Sequence, residues 1–331
     1  MVANITEELI KKAEKISDEA TKSLDCYHDI PHTLYHFTNL DSLISILENK
    51  TVRFTHYKYL NDETELNFAW ENITEFLLKD KINIPVDVID HLKNITTIIN
   101  KRKNTYIFCL SKILDNLAMW RMYADDGFGV AIGFDSDVEP EQNPRHVFSP
   151  TIAKTVYDMD YPSELKNLFI FIEENSHKIQ LPQCKGSNVE NELKFFNYLG
   201  VPLQILSMIN KHPSFRLEEE IRLLLFDGEL APNGFNYPEQ MRYQWSKCIN
   251  HPDLNIINFN DGSYDITLRQ STYQKTIEGI NLTDYVLKNL KEIWVGPRHD
   301  DSMINKIQLL LKKYGYRAEN IEIKKYYSPY A

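Results

Sequence analysis

The sequence predicts an α+β fold, a mixed, mainly antiparallel central sheet with flanking helices and a helical insertion, on three observations. Short β-rich runs, Leu34–Phe37, Thr105–Leu110 and Phe128–Phe134 among them, alternate with longer stretches whose apolar residues recur at helical spacing. Asp261-Gly262, set between Ile256–Phe259 and Tyr264–Leu268, is a hairpin turn and pairs its strands antiparallel. Two successive helical patterns, roughly 163–178 and 188–211, interrupt the strands as one block.

Taken in order, Ile5, Leu9, Ile10, Ala13 and Ile16 form one stripe of an N-terminal helix within residues 4–24. Leu34–Phe37 is a buried strand, and Thr38-Asn39-Leu40-Asp41 starts a helix whose inner stripe is Leu40, Leu43, Ile44 and Leu47. Asn49 stops it, and Thr51–Thr55 returns as a strand. Tyr59-Leu60-Asn61-Asp62 is a turn ahead of a helix over Leu66–Leu78, and a further helix covers Val86–Ile99. A short helix over Asn116–Tyr123 joins the strands Thr105–Leu110 and Phe128–Phe134. Thr155–Tyr161 is read as another strand. After the helical block come the acidic strand at Glu218–Phe226, the hairpin, a strand at Glu292–Val295, a helix at Asp301–Tyr314 and a strand at Ile321–Tyr326. No linker or repeat divides this succession, so residues 1–30 form an N-terminal helical segment and 31–331 one domain, with the helical insertion near 163–211.

Bulk properties narrow the function classes. The 331 residues, 43% of them hydrophobic, suffice for a large core. With 37 basic against 47 acidic side chains the net charge is -10, which repels nucleic acid and anionic membranes. Cys26, Cys109, Cys184 and Cys248 are widely spaced and suit a reduced, cytoplasmic setting, and no apolar run reaches the roughly 20 residues that span a bilayer. The motifs of Rossmann dehydrogenases, P-loop NTPases, zincins and α/β-hydrolases are absent. Cys26, His28, His32 and His36 fit no established zinc spacing, so no metal is expected.

The most informative segment is Leu217-Glu218-Glu219-Glu220-Ile221-Arg222, which runs into Leu223–Phe226. On an extended strand Glu218, Glu220 and Arg222 share one face. Charge at the entrance to a core strand must sit at the rim, be paired, or serve chemistry. His36, between Tyr35 and Phe37, needs a hydrogen-bond partner or a cleft, and Trp120 and Tyr123 share a helical face. An Arg–Glu pair at a strand end, a satisfied core histidine and a core aromatic pair are the plain alternatives.

Leu34-Tyr35-His36-Phe37-Thr38, Tyr59-Leu60-Asn61-Asp62-Glu63, Cys109-Leu110-Ser111, Met119–Ala124, Gly127–Phe134, Leu217–Arg222 and Glu292-Ile293-Trp294-Val295-Gly296-Pro297 together resemble a bacterial family, domain of unknown function 2971. More distantly that family is similar to the ADP-ribosyltransferase superfamily, whose sites use a histidine on the first strand, an aromatic or hydroxyl residue on a later strand, and a glutamate. The resemblance implies that His36 holds a ribose hydroxyl of NAD, that Tyr123 or Trp120 stacks on nicotinamide, and that Glu220, with Glu218, is the acidic motif. It adds Arg222 as partner of Glu220 or of a pyrophosphate oxygen, and Asn61 and Asp62 as further NAD contacts. The implied function is an ADP-ribosyltransferase or NAD glycohydrolase, a bacterial toxin or phage-defence effector, that uses NAD as substrate, a macromolecular acceptor and no metal. A non-catalytic nucleotide-binding or protein-interaction module is the alternative, supported by 19 Tyr and 16 Phe. A nucleic-acid-processing enzyme is disfavoured by the charge.

Overall fold

The computed structural model describes residues 5–24, 30–50, 52–56, 65–102, 105–136, 151–159, 161–178, 189–226, 254–258, 264–268 and 290–328. Among these residues the chain is a mixed α+β structure. Seven strands form an open, mostly antiparallel sheet in the order β10-β9-β4-β1-β3-β6-β5: β1 Thr33–Thr38, β3 Thr105–Ser111, β4 Val130–Asp135, β5 Thr151–Lys154, β6 Glu220–Phe226, β9 Leu290–Val295 and β10 Glu322–Lys325. Only β9 and β10 pair parallel among them. A second ribbon, β2 Arg53–His56, β8 Tyr264–Leu268 and β7 Leu254–Asn258, joins the first half of β3 through β2.

Because β6 occupies one edge of β3 along its whole length, β1 and β2 divide the other. β1 meets β3 at a single residue pair, Tyr35 with Ser111, while Thr55 and His56 of β2 pair with Ile107 and Tyr106. The sheet therefore parts between β1 and β3 just beyond Tyr35. In the register, Tyr35 lies opposite Ser111 and Ser111 opposite Glu220, so these three side chains share one face.

The other face is sealed by α2 (Leu40–Asn49) and α8 (Ser302–Lys313), whose Leu43, Leu47, Ile307 and Leu311 pack on Leu34, Ile132, Ile221 and Ile293. α2 starts where the Asn39 side chain accepts from Ser42 N at 2.8 Å and ends where Lys50 turns left-handed at φ 54°. On the Glu220 face, α1 (Glu7–Leu24), α3 (Glu65–Lys79), α4 (Val86–Arg102), α6 (Ser163–Asn175) and α7 (Val189–Ile209) build one apolar cluster over Ile107, Ala153 and Leu224. Within the block near 163–211, α7 packs on α1, α3 and α4, and α6 packs on α1. The rest of that face is covered by α5 (Leu117–Met122) through Met119 and Trp120, which pack on Phe37 and Ala131.

Two local expectations change. The strand expected over Thr155–Tyr161 is β5, at Thr151–Lys154. Beyond it Thr155 N donates to the Glu220 carbonyl and Val156 pairs with the end of α7, so Tyr157 and Tyr161 contribute side chains rather than ladder bonds. The acidic strand starts at Glu220, later than expected. Pro213 opens a 3₁₀ turn over Pro213–Glu218, and Glu219 is left-handed at φ 45°. The hairpin strands are present, while Asp261 and Gly262 lie outside the described residues.

Candidate functional site

Four charged side chains, Lys211 from the end of α7, Glu218 from the 3₁₀ turn and Glu220 and Arg222 from β6, meet under the seam between the helical layer and α5. All four are buried. Strand alternation puts Glu220 and Arg222 on one face. Glu218 joins them although its backbone is not a strand, because the left-handed Glu219 folds the turn back over the sheet.

Lys211 Nζ donates to Glu218 Oε2 at 2.5 Å and to Glu220 Oε2 at 3.1 Å. Arg222 donates from one terminal nitrogen to Glu220 Oε2 at 3.0 Å and from the other to the Met208 carbonyl at 2.6 Å. Thr155 Oγ1 adds a contact to Glu220 Oε2 at 3.3 Å, and Glu220 N donates to the Tyr157 hydroxyl at 3.0 Å. On the α5 side the Tyr123 hydroxyl donates to Glu218 Oε1 at 2.6 Å, and Ser111 Oγ donates to the Glu218 carbonyl at 2.7 Å. Two carboxylates and two cations thus satisfy one another in a low-dielectric setting, the condition under which buried charge is tolerated.

Burial pushes the Glu220 carboxyl up, but Arg222 and then Lys211, with hydrogen bonds from Cys109 and Arg222, outweigh it and hold the group down to about 2. Burial pulls Lys211 down, yet Glu220 and Glu218 raise it overall, so it stays charged. Burial and the Glu220 charge push the Cys109 thiol well up, leaving it a neutral donor. The cluster is neutral overall, and within it Glu220 is a carboxylate held ionised beside the Thr155 hydroxyl, a group that can stabilise positive charge developing in a substrate.

The structure brings Glu218, Glu220, Arg222 and Tyr123 together, but not His36 or Trp120. His36 alternates away from Tyr35 onto the opposite face, its ring 4.6 Å from Phe108 and its Nδ1 donating to the Cys109 carbonyl at 3.1 Å. The expectation that His36 and Glu220 line one pocket is therefore not met. The reason is strand parity, since Tyr35 takes the place in the row beside Ser111 and Glu220. Burial lowers the His36 pKa against the effect of that carbonyl, so the ring is neutral. Trp120 is wholly buried, stacked on Tyr326 at 4.9 Å, edge-on to Phe37 at 5.1 Å, with Nε1 donating to Leu114 O at 3.1 Å. Its ring faces are committed to the core, which excludes it as a nicotinamide platform in this conformation. Asn61, Asp62, Cys26 and His28 lie outside the described residues.

Sequence reading missed Lys211, Ser111, Thr155 and Tyr157. Lys211 and Tyr157 carried no signal, each being one polar residue at the edge of an apolar pattern. Ser111 was visible only as the end of Cys109-Leu110-Ser111. Glu292, also buried, extends the polar row, accepting from the Tyr35 hydroxyl at 2.9 Å and from Lys324 Nζ at 3.3 Å. No group of three metal-ligating side chains occurs among the described residues, and no helix among them is long and apolar enough to cross a membrane.

Residues 119–223 match a family model described as Protein of unknown function (DUF2971). The match supports the family read from the sequence. It spans about a third of the chain and contains Tyr123, Lys211, Glu218, Glu220 and Arg222, while Tyr35, His36 and Ser111 precede it. No curated protein and no solved structure matches the chain. The DUF2971 stretch therefore carries the whole ion cluster, and its description assigns no activity.

Proposed function

We propose that the chain is an NAD-using enzyme, an ADP-ribosyltransferase or NAD glycohydrolase, with its reacting centre at the start of β6. The observation that carries this reading is the register row Tyr35–Ser111–Glu220 at the place where β1 and β3 part. It sets a hydroxyl on a later strand, β3, between the first strand and the glutamate of β6, with Ser111 rather than Tyr123 supplying the hydroxyl that the ADP-ribosyltransferase likeness asks for. His36 has no role in this version, and ribose contacts fall to Ser111 and Glu220.

In the reaction the bond between ribose C1′ and the nicotinamide nitrogen breaks, and both its electrons leave with nicotinamide. The positive charge left on the sugar is stabilised by Glu220, which Arg222 and Lys211 keep ionised. Water or an acceptor then forms the new bond to C1′ and gives up its proton to a base, for which Glu218 is the nearest second carboxylate. Nicotinamide release from NAD by the intact chain, followed by chromatography, tests the reading. Release that disappears in Glu220→Gln and Ser111→Ala variants of unchanged secondary structure supports it. No release with water or a protein extract as acceptor overturns it.

Charge balance favours a second reading, a non-catalytic nucleotide-binding or protein-interaction module. Two carboxylates fully paired with Lys211 and Arg222 resemble a structural network. Thermal stabilisation by a nucleotide without turnover would select it.

A further inference from the structure

Glu218 is the buried residue of an otherwise exposed or half-buried turn, Pro213–Glu218, in which Leu217 is 68% exposed. A six-residue 3₁₀ run exceeds the three or four residues usual for this geometry. At its exit Glu219 holds φ 45°, a left-handed conformation that burdens any residue with a Cβ. Strain of this kind persists only where surrounding contacts enforce it. Here they are mostly polar: Tyr123 and Lys211 on the Glu218 carboxylate, Ser111 on its carbonyl, Asn116 Nδ2 on the Leu217 carbonyl, Arg216 on Asp158, Lys211 over the Phe215 ring at 4.8 Å, and Lys112 on Glu219, by its side chain at 3.0 Å and by its N–H on the Glu219 carbonyl at 3.1 Å.

The opposite wall is fixed. Trp120 anchors α5 between Phe37 and Tyr326, and the segment after Tyr123 is tied to the 296–299 loop by Arg298–Asp126 at 2.6 Å and by main-chain bonds from Gly296 and Arg298. Behind the turn lie Ser111, Lys211 and Glu220, all buried. A substrate reaches them only if a wall yields, and of these two walls the turn is the one held mainly by polar contacts at its surface, whereas the other is pinned by the wholly buried Trp120.

We propose that the Pro213–Glu219 turn is a gate over the ion cluster, latched by the Tyr123–Glu218 hydrogen bond and loaded by the left-handed Glu219. Breaking the latch lets Glu219 relax and turns Glu218 outward, uncovering Lys211 and Glu220. The proposal rests on the cluster being the reacting centre, but its test needs no turnover.

Hydrogen exchange of the intact chain, resolved by mass spectrometry for peptides over 213–220, measures the opening. Tyr123→Phe removes a hydroxyl bond to a carboxylate and should speed exchange there by roughly tenfold to a hundredfold, with α7 and the rest of β6 unchanged. Glu219→Gly removes both the strain and the Lys112 pair, whereas Glu219→Ala removes the pair and keeps the strain. The glycine variant should therefore exchange about five- to thirtyfold more slowly than the alanine variant. Equal exchange in the two Glu219 variants, or no acceleration in Tyr123→Phe, overturns the gate. Nicotinamide release measured on the same wild-type preparation separates the two ideas: turnover without gating sinks the gate alone, and gating without turnover sinks the NAD reading alone.

Discussion

Arg222 donates to Glu220 Oε2 at 3.0 Å with side chains 1% and 4% exposed, so this ion pair is built into the sheet. Breaking it by Arg222→Met leaves Glu220 with Lys211 as its remaining cation. Removal of one partner of a buried pair costs about 3–5 kcal/mol. Urea denaturation of the variant should show a loss of that order, and a loss below about 1 kcal/mol would place the pair in a solvated environment instead.

The depressed Glu220 carboxyl ties stability to pH. Its folded value, about 2, lies below the ordinary 4.5, so its contribution is fully present above that ordinary value and disappears as pH falls through the folded one. Denaturation midpoints measured from neutral pH downward should fall across this acid window. In Glu220→Gln the decline should be visibly flatter, and identical slopes for the two proteins would rule out Glu220 as the group responsible.

Asn116 caps α5 by accepting from Ala118 N at 3.0 Å and Met119 N at 3.4 Å, and its amide also donates to the Leu217 carbonyl. Asn116→Ala should cost about 1 kcal/mol as a lost cap, rising towards 2 with the second bond. The thermal midpoint reads this directly, and an unchanged midpoint argues that the helix is held by Trp120 alone.

Gly296 allows a close main-chain approach beside α5. A Cβ there would overlap the Gly127 carbonyl, backbone that has little room to yield because Gly127 O also accepts from Arg298 N at 3.2 Å. Gly296→Ala should destabilise the fold by about 1–3 kcal/mol. A variant as stable as wild type would show that the 124–129 and 296–299 loops are not clamped together.

Elements with strong apolar periodicity are legible in the sequence. α1, α2, β1, β3, β4 and β9 fall within a few residues of where apolar spacing and the Thr38–Asp41 helix start put them, with the cap itself falling on Asn39. Long-range assembly was less legible. That residues 163–211 would merge with α1, α3 and α4 depends on which faces meet across the chain, and each stripe taken singly is silent on its partner. The site shows the same division. Glu218, Glu220 and Arg222 are conspicuous as charges leading into an apolar strand, whereas Lys211 enters from just beyond the end of α7 and Ser111 through sheet register. His36 was misplaced for one reason: being next to Tyr35 in sequence puts it on the other side of the sheet.

In the proposed function the Tyr35–Ser111–Glu220 row receives the sugar of NAD. A crystal structure of the intact chain with ADP-ribose tests it most directly. The account predicts the ribose within hydrogen-bonding distance of Glu220 or Ser111 and the Pro213–Glu219 turn displaced. ADP-ribose bound elsewhere, or a cluster still closed and empty at saturating ligand, would contradict it.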